Sequence, residues 1–331
     1  MATVAAVALG WLADRALGDP ARHHPVAGFG MLATRTERLV WWPSRGRGTL
    51  YAVTLVAGTG MAAAGLGRVL RRIPGGSVAA GTVVLWTTLG GRSLERVAGE
   101  LAGALEAGDL GRARALLPSL AGRDPTHLDA AGLCRAGLES VAENTADAVV
   151  GPLLWGAVAG APGAAMYRAA NTLDAMVGHR SPRYERFGWA AARLDDLLTW
   201  PAARLGALLM VALAGSVHGD RARAWAVLRR DGASHPSPNA GRMEAAAAGA
   251  LGVRLGGTNV YGERVEHRPT LGDGPPPGPA DLRRAIRLSR ATGWAAAALC
   301  MLLAAARRRS GESRHRRVLC RSRCSQKADG R

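Results

Sequence analysis

Residues 139–174 read ESVAENTADAVVGPLLWGAVAGAPGAAMYRAANTLD. The charged side chains of this stretch sit at its two ends, and 148–167 between them carries none. As a helix, a run of about 20 apolar residues crosses a hydrocarbon core of about 30 Å. Ahead of it, Glu139, Glu143 and Asp147 are four apart and line one helical stripe. Arg135, one turn earlier, can neutralise part of that stripe. Carboxylates at the mouth of a membrane segment are costly and point to function; in a soluble helix the same stripe is a solvated face. Asn144 adds a neutral amide beside it. After the run, Arg168, Asn171 and Asp174 follow at a spacing of three and face roughly one way. A straight crossing of 148–167 would put Glu143 and Asp174 on opposite sides of the bilayer. Pro152 and Pro162 make a broken or re-entrant segment the way to bring them together.

Further charge-free runs occupy 48–67, 73–91, 205–219 and 291–306 of the 331 residues. The first two are long enough to cross; the last two need flanking residues to do so. A mean hydropathy of +0.02 is therefore an average of apolar runs and arginine-rich connections. So many runs are hard to bury in one soluble core, and their Gly/Ala richness suits close helix packing in lipid. Residues 2–13 lack a basic leader and meet Asp14-Arg15 directly, which argues against a cleaved signal peptide. No strand-like alternation is sustained and no internal repeat occurs. The expected class is mostly α: a multi-helix integral membrane protein, with polar helical and Gly/Pro-rich loop segments between apolar helices. Pro201 is expected to precede the 205–219 helix, and 252–280 reads as loop.

Lys+Arg total 43 against 25 Asp+Glu, a net charge of +18, and Lys327 is the one lysine. That excludes a Walker A loop and a Schiff-base enzyme. The absence of G-x-G-x-x-G excludes a simple dinucleotide fingerprint. Segment 220–290 holds 12 arginines and the tail 307–331 nine. Positive-inside reasoning puts both on the cytoplasmic face. They flank 291–306, so that run is expected to be re-entrant or interfacial, or the count does not report orientation. Aromatics are 5% and not interleaved with the arginines, so membrane lipid headgroups or a phosphorylated substrate are expected partners, and no nucleic acid. Cys134 and Cys300 stand alone in apolar contexts, as small core residues do. Cys320 and Cys324, near His315, are not spaced as a standard zinc site, and no disulfide framework is implied.

Three more clusters carry polar chemistry. Arg193 precedes the adjacent Asp195 and Asp196, which point about 100° apart on a helix, so one is expected to face a site and the other to pair with arginine. Carboxylates from three helices suit Mg²⁺, with Glu143, Asp147 and Asp174 as the metal candidates; helix–helix ion pairing is the alternative. In the segments 235–241 and 255–262, prolines and glycines fix an irregular backbone. There Asn239 is an expected N-cap, and Gly256 and Gly257 allow backbone N–H groups close to an anion. Gly18-Asp19-Pro20 is a turn leading to His24, a ligand, a base or a capped surface histidine.

Together these blocks resemble one family. GDPARHHPV (18–26), ESVAENTADAVVGPLLW (139–155), YRAANTLDAMVGHR (167–180), RFGWAAARLDDLLTWPAARL (186–205) and HPSPNAGRMEAAAAGALGVRLGGTNVYG (235–262) look like the CobD/CbiB family of cobalamin biosynthesis. The blocks keep family order across about residues 5–305. Ala148 and Thr199 depart from the pattern, where glycine and asparagine are expected. The resemblance implies a single membrane domain at 1–306, with a basic tail at 307–331 expected to be disordered.

The resemblance also implies a reaction. Family members are adenosylcobinamide-phosphate synthases. They join aminopropanol or its O-phosphate to a propionate carboxyl of the corrinoid adenosylcobyric acid, with ATP and Mg²⁺ as the driving force. Such a bond needs an activated acid and a deprotonated amine. The implied catalytic set is Glu139, Glu143, Asn144, Asp147, Asn171, Asp174, Arg193, Asp195 and Asp196. His24, Arg168, Ser237, Asn239, Gly241, Gly256, Gly257, Asn259 and Tyr261 are implied for substrate or phosphate. The implied setting is a multi-pass protein of the cell membrane with a cytoplasm-facing site, open to other membrane proteins of the corrinoid pathway. Two rivals from other classes are a non-catalytic scaffold of that pathway and a small transporter, which would usually show paired repeats.

Overall fold

In a computed structural model, residues 2–20, 22, 24–179, 181–261 and 264–328 are described, with side chains except at 259–266 and beyond 310. The described residues form helices α1 (Ala2–Leu17), α2 (Pro25–Val40), α3 (Arg45–Leu70), α4 (Gly76–Thr88), α5 (Gly91–Glu106) and α6 (Leu110–Leu116). Helices α7 (Ala130–Thr145), α8 (Gly151–Leu173), α9 (Trp189–Leu213), α10 (Arg221–Asp231), α11 (Ala240–Leu251) and α12 (Pro279–Ala328) follow. Strands β1 (Leu255–Tyr261) and β2 (Arg264–Leu271) pair antiparallel between α11 and α12. The protein is thus mostly α, as its apolar periodicity implies.

Among the described residues four stretches are long and apolar enough to cross a membrane: Arg45–Leu70, Ala130–Gly178, Trp189–Val217 and Pro279–Ser310. Large apolar side chains such as Leu32, Val53, Met61, Leu208 and Leu302 stand exposed on the outside of the bundle. That outward apolar face is what a lipid-facing surface requires.

The stretch Ala130–Gly178 is not one straight rod. Its backbone breaks at Gly160 (φ 68°, ψ −162°), with Pro162 just beyond. A left-handed φ suits glycine, and proline removes a helical donor. The halves fold back on each other, because a Cβ on Gly151 would collide with the Tyr167 ring. The 148–167 run is a helical hairpin, and both of its polar ends emerge together.

Four sequence expectations need correction. The 73–91 run yields only α4, 13 residues long, which reaches about 20 Å and falls short of a crossing. It starts after left-handed Gly75 and stops at extended Leu89. Pro201 lies inside α9 instead of preceding a new helix. The 252–280 segment contains the β-hairpin, whose alternation is broken by a register shift between Leu255 and Gly257. Helix α12 runs without reversal through 291–306, so that run is not re-entrant. For the tail, side chains beyond 310, including His315, Cys320 and Cys324, lie outside the described residues.

Three apolar clusters hold the bundle. One joins residues of α5, α7, α9, α11 and α12; a second joins α1, α8, α9 and α12; a third joins α2, α3, α8 and α9. Alanine dominates all three, so the helices approach closely. Cys134 and Cys300 are buried and free, as expected of small core residues.

Candidate active site

The polar ends of the hairpin each pass through a π turn, Ala146–Val150 carrying Asp147 and Asp174–Gly178 carrying Asp174. A π turn inserts a residue into the helical ladder and re-aims the side chains around it; such turns are frequent at functional sites. Asp174 folds over Gly178, where any Cβ would displace its carboxylate. Both turns border a cavity of about 180 Å³ lined by Glu143, Asp147, Asp174, Asp195 and Asp196, with Ser237 and Asn239 closing it. Carboxylates from α7, the hairpin's return arm and α9 therefore share one space, although they are up to 53 residues apart in sequence.

A hydrogen-bond chain fixes the cavity wall. Asn171 Nδ2 donates to Asp195 Oδ1 (3.2 Å), and Thr199 Oγ1 donates to the same oxygen (3.3 Å). Tyr167 and Thr199 hydroxyls meet at 3.1 Å. Arg168 Nη1 donates to Asn171 Oδ1 at 3.4 Å, so one amide links the arginine to the acid. Asp195 is buried, whereas Asp196 pairs with the exposed Arg193 at 3.3 Å. Asp196 is the arginine-paired member, but pairing does not take it off the site: both aspartates line the cavity, against the expectation that only one would face it.

From the loop before α11, Asn239 is not the side-chain cap expected of it. Its Nδ2 donates to the Asp196 carbonyl (2.9 Å) and its Oδ1 accepts from Arg204 (3.2 Å). Ser237 does the capping: its Oγ accepts from the backbone N–H of Asn239 and Ala240. Gly241 packs against His235.

The donor set is all oxygen, as Mg²⁺ requires. Among the described residues, no three His, Cys, Asp or Glu side chains are drawn close enough to grip a metal ion by themselves. Mg²⁺ commonly keeps several waters and substrate phosphates as ligands, so the residues present fit an ion that arrives with phosphate.

Other expected residues lie elsewhere. Glu139 is 1% exposed; it pairs with Arg123 at 2.6 Å and accepts the Gly256 backbone N–H at 2.8 Å. That N–H is thereby spent within the protein. Arg135 binds the carbonyls of Gly256 and Thr258 (2.7 and 3.0 Å). Gly256 and Gly257 line a separate cavity of about 650 Å³. The side chains of Asn259 and Tyr261 lie outside the described residues. His24 Nδ1 accepts from Val26 N–H as the N-cap of α2, and partial burial holds its pKa below the ordinary value. Asn144 and Arg168 line a third cavity, of about 810 Å³, which borders the carboxylate site.

Sequence reasoning missed two groups. Arg123 and Arg268 stand within electrostatic reach of Glu143, and of Glu244 on α11. Glu244 is 1% exposed, with Oε2 3.9 Å from His235 Nε2. Burial, then the charges of Glu139 and Glu143, push it well above the ordinary carboxylate range. A lone glutamate in the alanine run 240–251 is the available signal. The second group is Arg92, Ser93 and Arg96 on the wall of the 810 Å³ cavity, after the pair Gly90-Gly91.

Comparison with known proteins gives one answer. Residues 7–289 match the family described as CobD/Cbib protein. A cobalamin biosynthesis protein CobD of Mycobacterium tuberculosis is 52% identical over 304 residues, covering 91% of this chain and 96% of its own. The protein of that name in Rhodobacter capsulatus is 46% identical, covering 81% and 85%. One in Chromobacterium violaceum is 43% identical, covering 88% and 94%. No solved structure matches the chain.

Proposed function

The chain belongs to the CobD/CbiB family of cobalamin biosynthesis, and from that premise we propose that it forms an amide. The acid is a propionate carboxyl of adenosylcobyric acid, and the amine is aminopropanol or its O-phosphate. The observation that carries this reading is the cavity of about 180 Å³ in which carboxylates from three helical segments meet.

A carboxylate and an ammonium do not condense in water. ATP with Mg²⁺, when bound, would supply the activation: its terminal phosphoryl group, released from ADP, would pass to the carboxyl and leave as phosphate when the amine attacks. Glu143, Asp147 and Asp174 are the oxygen donors that would hold the ion. The chain's own residues do the rest. The acidic cavity attracts the ammonium and orients it. Asp196, a carboxylate of the same cavity outside the ion's donor set, takes its proton, leaving a nucleophilic amine. Asp195, fixed by Asn171 and Thr199, keeps the charge pattern of the wall constant. Arg168, tethered to Asn171, stands where negative charge from the acid side would develop.

The test uses purified, detergent-solubilised protein. It is given adenosylcobyric acid, aminopropanol phosphate, ATP and Mg²⁺, and the corrinoid is followed by mass. A gain matching the amide, absent without ATP, supports the reading. Folded protein that yields no product with either amine overturns it. Asp147→Ala and Asp174→Ala separate an enzyme from a pathway scaffold, which would tolerate both.

A further inference from the structure

We propose that the 810 Å³ cavity is the polyphosphate site of this protein, and that Arg92 and Arg96 bind the phosphates of a nucleoside triphosphate together with Arg168. This deepens the proposed function and rests on it for the use to which the nucleotide is put.

Its size falls among small-molecule sites, which span about 300–1,000 Å³. Its described wall carries three guanidinium groups and one carboxylate, Asp19. Asp19 lies 3.9 Å from His24 Nε2, and its backbone N–H donates to Ser93 Oγ at 3.4 Å. Among the described residues Ser93 Oγ acts as an acceptor, which leaves its O–H to turn to a ligand. Asn144 turns its amide to Ser140 yet keeps a face on the cavity.

The positive charge comes from side chains. Asp14 Oδ2 already accepts the backbone N–H of Arg92 at 3.2 Å, so the start of α5 contributes little of it. The Arg92 side chain is exposed and makes no hydrogen bond or ion pair with the described residues. Among the described residues Arg96 meets only Glu100, one turn along an exposed face, at 2.9 Å. A wall that leaves guanidinium forks unspent is matched to a ligand with several anionic oxygens. A single carboxylate would engage one of the three.

Position completes the argument. Arg168, Asn171 and Asp195 form a continuous hydrogen-bonded wall between the cationic cavity and the acidic one. Asn144 faces the first and its neighbour Glu143 the second. Sites of opposite charge thus lie on either side of one row of side chains, with Arg168 on the cationic cavity and Asp195 on the acidic one.

The experiment measures binding without turnover. Full-length protein in detergent is titrated calorimetrically with ATP and, separately, with inorganic triphosphate. The Arg92→Gln/Arg96→Gln variant should weaken both about a hundredfold or more, since it removes two charge-assisted contacts at once. The single Arg92→Gln variant has no intramolecular partner to lose and should move in the same direction with an unchanged melting temperature. Unchanged affinity for both probes in both variants overturns the proposal. In an active preparation, a rise in the corrinoid KM with the ATP KM unmoved also overturns it. Protein that binds ATP through Arg92 and Arg96 but forms no amide keeps this inference and sinks the proposed reaction instead.

Discussion

Gly151 lies against the phenol ring of Tyr167, so closely that a Cβ on Gly151 would fall on the ring itself. In one straight helix, residues this far apart would be separated by about 24 Å. The reversal at Gly160 closes that distance and brings Asp147 and Asp174 to one cavity. A single contact between the arms therefore accounts for the assembly of the site.

Both ends of the hairpin should face the same side of the membrane. Cysteine placed at exposed Thr126 or at exposed Glu185, with Cys320 and Cys324 replaced by serine, should react alike with an impermeant maleimide in oriented vesicles. Labelling from opposite sides would mean a single crossing and would contradict the fold.

Gly151→Ala should destabilise the protein by about 1–3 kcal/mol through overpacking. Tyr167→Ala makes room for the added methyl, so the double variant should lose less than the sum of the two singles. Thermal unfolding in detergent measures the cycle; strict additivity would show that the two residues do not touch.

Asp147→Asn and Asp174→Asn should each lower turnover about 10²–10⁴-fold, as loss of an acid–base or positioning carboxylate does. Arg193→Gln should cost no more than about fivefold, because a surface ion pair is worth about 0–1 kcal/mol. The corrinoid mass assay ranks the three. Equal losses would place Arg193 in the machinery as well.

Burial pushes the Asp14 carboxyl up to about 6 from an ordinary 3.8. The folded protein therefore holds this proton more tightly than the unfolded chain does. The stability it contributes is fully present below pH 3.8 and is lost as pH rises through about 6. The loss is roughly 3 kcal/mol, two pKa units' worth. Asp14→Asn keeps an acceptor for Arg92 N–H and should be the more stable form at neutral pH, with a flatter melting profile from pH 4 to 7. A steeper profile in the variant would refute the assignment.

Glu139→Gln should act on stability before chemistry. It removes the charge-assisted bond between Glu139 and the buried Arg123, a loss of about 1.5–3 kcal/mol, although the amide can still accept the Gly256 N–H. Melting temperature should fall while the KM values of the surviving folded protein stay put. A normal melt with lost turnover would return Glu139 to the catalytic set.

Much of this was legible in the chain. Helical class, the apolar runs and the carboxylate stripes follow from periodicity and charge spacing, which are local properties. That one of Asp195 and Asp196 pairs with an arginine follows too; that it is Asp196, and that it still lines the cavity, does not. The sequence also flagged Pro152 and Pro162 as breaks in the 148–167 run; Pro152 sits in the first turn of α8, where proline is tolerated, and the reversal is at Gly160, just before Pro162. Other features were hidden because they depend on partners distant in sequence. The stripe Glu139–Glu143–Asp147 looks uniform, yet Glu139 is taken by Arg123 and Gly256 while Glu143 and Asp147 reach the cavity. A π turn after Thr145 rotates the last member of that stripe out of helical register, and no spacing rule anticipates it. The β-hairpin escaped notice because its bulge breaks the alternation. Arg92 and Arg96 read as ordinary surface arginines until α1, α5 and α8 enclose a space around them. The sequence by itself determined which residues are apolar enough for lipid and which carboxylates lie at the edges of those runs. Tertiary structure decided which of those carboxylates share a site, because burial, counter-charge and chain reversal arise only when separate helices meet.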